Sequence, residues 1–511
     1  MCGNMQFVNI SSSDKRNDRL LLWVLIAFTL FFRLYMLQMI NVGPDEIDYW
    51  FSGKRLAGPG SYPELMHRTI RWAIILPVAF FQWLLGSHVL VYYITPILNS
   101  IIQTVLLYRL GKRIFNQSIA FYAVILCTAW PYMWRTGSQI RPAIFSITYV
   151  LVALYFLFLY LDSTNNSKQA RFYLLASAAA LFIAYQSKIT NLYFVPGILV
   201  VLWLHRRKLS APLLFGLTLF GLYVIEHMAY FISVGDPFGR LGIIARNHLS
   251  SSYAEELPSS FLGLFQRYTV FLEFPWHLLL LAFVASTVFL LIRKRKWICE
   301  LTILHAGFFF FLTFMVKSID PVVPVEAFLD RYFIATLPTM SLVIVYALFE
   351  VFPLSWVVAV SQRRMLVLAA VCIAVVALIV TALPLPAGVE RFYTPFSKLH
   401  EHPIPRVLQF EEDMEMALMK DLPIVSVDSA KPLDAANRIF YDDPREERYA
   451  RPIKVLKLNE HNLYYLDGVG GAPQRLDLQN GYTRVLYCDR FNFSMDRMQL
   501  NEISKLGEVY E

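Results

Sequence analysis

Charge is scarce in this chain. Only 16% of its 511 residues are Asp, Glu, Lys or Arg, while 57% are hydrophobic. A soluble globular protein of this length carries roughly a quarter charged residues, so that class is excluded. Cysteine is also sparse. Cys2, Cys127, Cys299, Cys372 and Cys488 are scattered, three of them in apolar runs, with no spacing that suits a metal or a disulfide. No internal repeat or inverted pair of spans is visible, which counts against many transporter architectures. The first apolar run has no small-residue cleavage site, so it reads as a retained span and not as a removed signal peptide. The net charge of +8 does not mark a nucleic-acid binder, because the Lys and Arg residues lie in short clusters between apolar runs.

What is abundant is apolar sequence in runs near twenty residues, the length that crosses a bilayer as helix. Eleven spans are predicted, near 20–40, 89–108, 118–137, 142–161, 171–186, 189–205, 211–232, 276–292, 298–316, 332–350 and 366–384. Basic clusters precede the first span at Lys15, Arg16 and Arg19. They return at Arg109/Lys112/Arg113, Lys168/Arg171, Arg206/Arg207/Lys208, Arg293 to Lys296 and Arg363/Arg364. Each falls after an even number of crossings, which places the clusters and the N-terminus in the cytoplasm. The pair 171–186 and 189–205 is split by Gln186-Ser187-Lys188; one long helix there would invert everything downstream. Residues 69–85 are apolar but interrupted by Arg71, Pro77 and Gln82, and are predicted to form a helix lying along the outer membrane face. From about residue 387 charge becomes frequent. Alternating stretches at 424–427 and 453–456 then look like strands of a small extracytoplasmic α/β domain. The expected fold is an all-α polytopic membrane domain over 1–386, with a first outer loop at 41–88, followed by a C-terminal domain over 387–511.

The residues that could carry chemistry cluster at the outer ends of these spans. Pro44-Asp45-Glu46, with Tyr49 behind, follows the first span directly. Carboxylates at the mouth of a span are costly unless they meet water, a metal or a cation. An aspartate there can accept the proton of an attacking hydroxyl, and its neighbour can hold a cation or orient the acceptor. The bland alternative is a helix start with acidic residues at the positive end of its dipole. Lys188 and Arg331 sit at outer helix ends, as do Arg135 and Arg141 around a short outer turn; each is a phosphate ligand, or else Lys188, Arg135 and Arg141 anchor the interface and Arg331 pairs with Asp330 or Glu326. His67 and Arg68 share the first outer loop with the carboxylates, as a substrate-binding or merely solvated pair. Glu226-His227 interrupts the seventh apolar run, lining a cavity or making a polar contact between helices.

Several short stretches then carry a family resemblance in their order. Asp45-Glu46-Ile47-Asp48-Tyr49-Trp50 with Lys54-Arg55-Leu56-Ala57 resembles the first outer loop of GT-C glycosyltransferases. The segment from Trp72 to Leu84-Leu85-Gly86, the junction Leu110-Gly111-Lys112-Arg113-Ile114-Phe115-Asn116, Ser187-Lys188, and Arg331-Tyr332 with Pro338 follow in the family's order. The nearest group is the bacterial relatives of protein O-mannosyltransferases and of the lipid A aminoarabinose transferase. Two departures stand out: Met66-His67-Arg68-Thr69 lies where the family often has His-Pro-Pro, and Arg141 is followed by Pro142 where an Asp is common. The resemblance implies a polyprenyl-phosphate sugar donor and a lipid, glycan or protein acceptor. It implies Asp45 as general base with Glu46 beside it, Lys188, Arg331, Arg141 and Arg135 toward the donor phosphate, and Tyr49, His67, Arg68, Glu226 and His227 toward substrate. It leaves a divalent cation, magnesium or manganese, open at Asp45 and Glu46. The expected setting is a bacterial inner membrane with the site on the periplasmic face. The alternatives are a mannosyl-extending enzyme of the dolichol or GPI type, a lipid-linked substrate transporter or flippase, and a non-catalytic assembly factor.

Overall fold

The computed structural model describes residues 12–35, 37–38, 44–58, 69–86, 89–163, 168–235, 237–249, 260–270, 276–319, 322–324 and 330–352. It also describes the strands at 393–394, 424–427, 453–457, 462–467 and 484–489. The apolar runs form helices because lipid offers no hydrogen-bond partner, and a helix pairs every backbone group within its own segment. In chain order the helices are α1 (Ser12–Tyr35), α2 (Pro44–Ala57), α3 (Trp72–Leu85), α4 (Val89–Ile114), α5 (Gln117–Thr128), α6 (Pro131–Thr136), α7 (Pro142–Asp162) and α8 (Lys168–Ser187). There follow α9 (Phe194–Arg206), α10 (Ser210–Val234), α11 (Gly239–Leu249), α12 (Phe261–Val270), α13 (Trp276–Ile292), α14 (Ile298–Phe314), α15 (Asp330–Phe333) and α16 (Leu337–Val351). Among the described residues four stretches are long and apolar enough to cross a membrane: Leu90–Ile114, Pro142–Asp162, Ser210–Ser233 and Arg331–Val351.

Ten of the eleven predicted spans coincide with a helix or a broken helix; the run 366–384 lies outside the described residues. The predicted span 118–137 is broken in two. α5 is capped by Asn116, whose side chain accepts the Ile119 N–H at 2.9 Å, and Pro131 opens α6 in the first helical turn. The disputed pair is two helices. α8 ends at Ser187, and a short 3₁₀ turn over Ile189–Tyr193 leads into α9. The segment predicted to lie on the membrane face is α3, which buries Ala73, Ile74, Ile75, Val78, Ala79 and Gln82.

Polar side chains tie the bundle together between helices. Thr29 meets Thr104 at 2.8 Å, Gln103 donates to Thr148 at 3.0 Å, and Ser146 donates to Asn191 at 2.8 Å. Close approach is left to glycine. A Cβ on Gly197 would stand 2.9 Å from the Leu304 Cα, so α9 and α14 pack backbone to backbone there.

Several ion pairs gather at one end of the bundle. Lys112 pairs with Asp18 at 2.7 Å, Arg113 with Asp162 at 2.9 Å, and Arg295 with Glu350. The start of α1, the ends of α4, α7 and α16 and the turn between α13 and α14 thus share that end. The start of α7, the end of α8 and the start of α15 lie at the opposite one. Small sheets complete the chain. β1 (Leu37–Gln38) pairs antiparallel with β4 (Tyr393–Thr394), and β2 (Val316–Ile319) with β3 (Val322–Pro324). Strands β5 (Ile424–Val427), β6 (Ile453–Lys457), β7 (Asn462–Asp467) and β8 (Arg484–Asp489) form one four-stranded sheet in that order, with β7 and β8 parallel.

Candidate active site

Helix α2 carries Asp45 and Glu46 in its first turn, where carboxylates favour the positive end of a helix. Glu46 is 2% exposed. Its Oε1 accepts the Arg141 Nε–H at 2.5 Å, and its Oε2 accepts the Tyr92 hydroxyl at 3.2 Å. Tyr92 in turn accepts the Ile140 N–H at 3.4 Å, so the α4 start, the turn before α7 and α2 meet on this carboxylate. Burial opposes charge on Arg141, but Glu46 beside it outweighs burial and holds the guanidinium charged above its usual range. Arg141 keeps about a third of its side chain exposed, 31%, at the rim.

The rest of α2 is wedged in place. Trp50 is buried, its ring centroid lies 5.7 Å from that of Tyr92, and its carbonyl accepts Gln82 Nε2–H of α3 at 3.1 Å. Gly53 permits the approach; a Cβ there would stand 2.7 Å from the Val78 side chain. The Tyr49 hydroxyl accepts Arg71 Nη1–H at 2.7 Å. Tyr49 is fully buried.

Lys188 is the first residue after α8. The residue is 9% exposed, its ammonium donates to the Arg331 carbonyl, and it lies 4.1 Å from the Tyr332 ring centroid. Arg331 is exposed, with its guanidinium carbon 5.4 Å from the same ring. The end of α8 and the start of α15 are thereby joined, and two of the predicted phosphate ligands flank one tyrosine.

Glu226 and His227 lie at the far end of α10 and do not join that pair directly. Glu226 meets Arg240 of α11 at 3.5 Å, and His227 stacks on Tyr223 with centroids 6.1 Å apart. Sequence reasoning missed Arg240, although a carboxylate in an apolar run demanded a cation nearby. It also missed Arg33, an arginine inside the first apolar run that donates to Ser100 Oγ at 3.1 Å. The side chains of Asp45, His67, Arg68 and Arg135 lie outside the described residues.

Among the described residues no three His, Cys, Asp or Glu side chains converge to hold a metal ion.

ArnT from Cupriavidus metallidurans bound to undecaprenyl phosphate aligns with 72% of this chain and 66% of its own, at 18% identity and a TM-score of 0.45. The Archaeoglobus fulgidus oligosaccharyltransferase complex with Zn and sulfate aligns with 70% of this chain and 52% of its own, at 13% identity and a TM-score of 0.42. The chain spans less than two thirds of the length of either. No curated protein matches it in sequence. Residues 72–231, which carry Arg141, Lys188 and Glu226, match the family model of dolichyl-phosphate-mannose-protein mannosyltransferase, and the resemblance to GT-C membrane glycosyltransferases is borne out.

Proposed function

We propose that this chain transfers a sugar from a polyprenyl-phosphate donor to an acceptor at the extracytoplasmic face of the membrane, with inversion. The observation that carries the reading is a segregation of charge. The acidic first turn of α2 is pinned to Arg141, which shares one end of the bundle with Lys188 and Arg331, opposite the end where the basic clusters pair with Asp18, Asp162 and Glu350. By the positive-inside rule the paired clusters face the cytoplasm.

An acceptor hydroxyl or amine enters from the outer water layer, and Asp45 takes its proton. The nucleophile forms a bond to the anomeric carbon as the bond from that carbon to the phosphate oxygen breaks. The phosphate leaves with the electron pair. Its growing negative charge meets Lys188 and Arg331, where preorganised positive charge stabilises the transition state most. Glu46 holds the Arg141 guanidinium by its Nε, while the same fork has further N–H groups for an oxygen of the donor. Glu46 is thus a positioning residue and Arg141 the group it aims. A divalent cation, magnesium or manganese, at Asp45 and Glu46 is kept within the same proposal. His67, Arg68 and Arg135 are kept as contacts to acceptor or donor, and Glu226 and His227 as more distant ones. A bacterial inner membrane, with the site on the periplasmic side, belongs to the same proposal, as does a tail of the donor lying between helices.

The test supplies radiolabelled polyprenyl-phosphate sugars one at a time to membranes containing the protein, beginning with the mannosyl donor that the family match suggests. Label moving to a lipid, glycan or protein acceptor from one donor supports the reading. Purified protein that moves lipid across liposomes but transfers no sugar from any donor would make it a transporter.

A further inference from the structure

Helix α8 stops at Ser187, and a helix end leaves its last carbonyls without partners inside the helix. Two of these, Tyr185 and Gln186, are met from outside. Arg240 Nη2–H donates to the Gln186 carbonyl at 2.9 Å and to the Tyr185 carbonyl at 3.4 Å, and the guanidinium carbon lies 4.6 Å from the Tyr185 ring centroid. Its Nη1 faces Glu226 at 3.5 Å. Arg240 is 3% exposed and the Glu226 side chain 9%, so the cluster is shut away from water.

Arg240 belongs to α11, in the second outer loop, far from Lys188 in sequence. The loop is seated by Ile243, buried against Tyr230 and Ile70, while Trp72 Nε1–H donates to the Tyr230 hydroxyl at 2.6 Å. Gly239 turns the chain at φ +54°, and a Cβ there would stand 2.8 Å from His227 Nδ1. The geometry therefore brings an arginine from a separate loop onto the peptide units just before the ammonium-bearing residue. Only a planar, five-donor cation can meet a carboxylate, two carbonyls and an aromatic face together. Buried ion pairs of this sort are weak sources of stability compared with apolar packing, which favours a role in placement.

We infer that Arg240, held by Glu226, is a positioning residue that fixes the break after α8 and so aims Lys188 at the donor phosphate. This rests on the reading of Lys188 given above. Helix α11 would then govern donor binding through one side chain, without touching the donor.

The experiment measures equilibrium binding of undecaprenyl phosphate to the purified full chain in detergent, with thermal melting alongside. Variants are Lys188→Met, Arg240→Gln, Arg240→Lys and the double variant Lys188→Met/Arg240→Gln. Arg240→Gln is expected to raise the Kd about tenfold, as Lys188→Met does, with the double variant within about twofold of Lys188→Met alone. Arg240→Lys keeps the charge beside Glu226 but loses the fork, and should fall between wild type and Arg240→Gln; it carries the test if Arg240→Gln fails to fold. A purely structural arginine would weaken binding in both backgrounds alike. Arg240 variants that bind like wild type beside a weakened Lys188→Met overturn the inference alone. Lys188→Met binding like wild type overturns the donor-site reading of Lys188, and the inference with it.

Discussion

Glu46 shows what a single residue decides at this site. A carboxylate at 2% exposure is tolerated because Arg141 and Tyr92 both reach it. Removing the cation alone strands a buried negative charge, whereas removing both charges leaves a neutral contact. Arg141→Met should therefore lower unfolding stability by about 3 kcal/mol, and the Glu46→Gln/Arg141→Met pair should recover most of that. Melting curves of the two variants in detergent check it; a double variant no more stable than Arg141→Met would contradict the pairing. The acidic turn was legible from sequence because carboxylates beside a membrane span are rare. Its partner was not, since Arg141 lies 95 residues away and reads equally well as an interface anchor. The same holds for Glu226: its need for a cation could be read from its apolar neighbours, but which arginine answers depends on how α11 folds back.

At the scale of elements, helix existence follows the apolar runs and helix ends follow punctuation. Pro131, Pro142 and Gly235 mark boundaries that the sequence displays openly. The break at Lys188 is different. Ser187-Lys188 splits the apolar pattern, yet the turn itself rests on carbonyls met by Asn191, whose side-chain amide donates to Ala184 at 2.7 Å, and by Arg240. Those contacts are tertiary, so periodicity alone could not choose between one helix and two. The approach of α9 and α14 is another tertiary matter. With Gly197 against the Ile303 and Leu304 backbone, and Gly307 against Gly197, neither helix has a side chain that can yield. Gly197→Leu should force the two apart and lower stability by roughly 2 kcal/mol or more. An unchanged melting temperature for that variant would show that the helices do not pack this way.

The whole molecule is organised by where its few charges lie. Basic clusters meet Asp18, Asp162 and Glu350 at one end, and the candidate site occupies the other. The polytopic architecture was legible because run length and Lys/Arg bias are properties of composition, independent of contacts. The grouping of Glu46, Arg141, Lys188 and Arg331 at one end followed from span order; their partners did not. In the proposed mechanism a carboxylate in the first turn of α2 takes a proton while a lipid-borne phosphate departs. The most direct measurement is the release of free polyprenyl phosphate from its sugar-bearing form by purified protein with an acceptor extract, comparing wild type with Asp45→Asn. The account predicts release by wild type and a loss of at least about a hundredfold in the variant, at unchanged expression and melting temperature. Equal release by both proteins would contradict it.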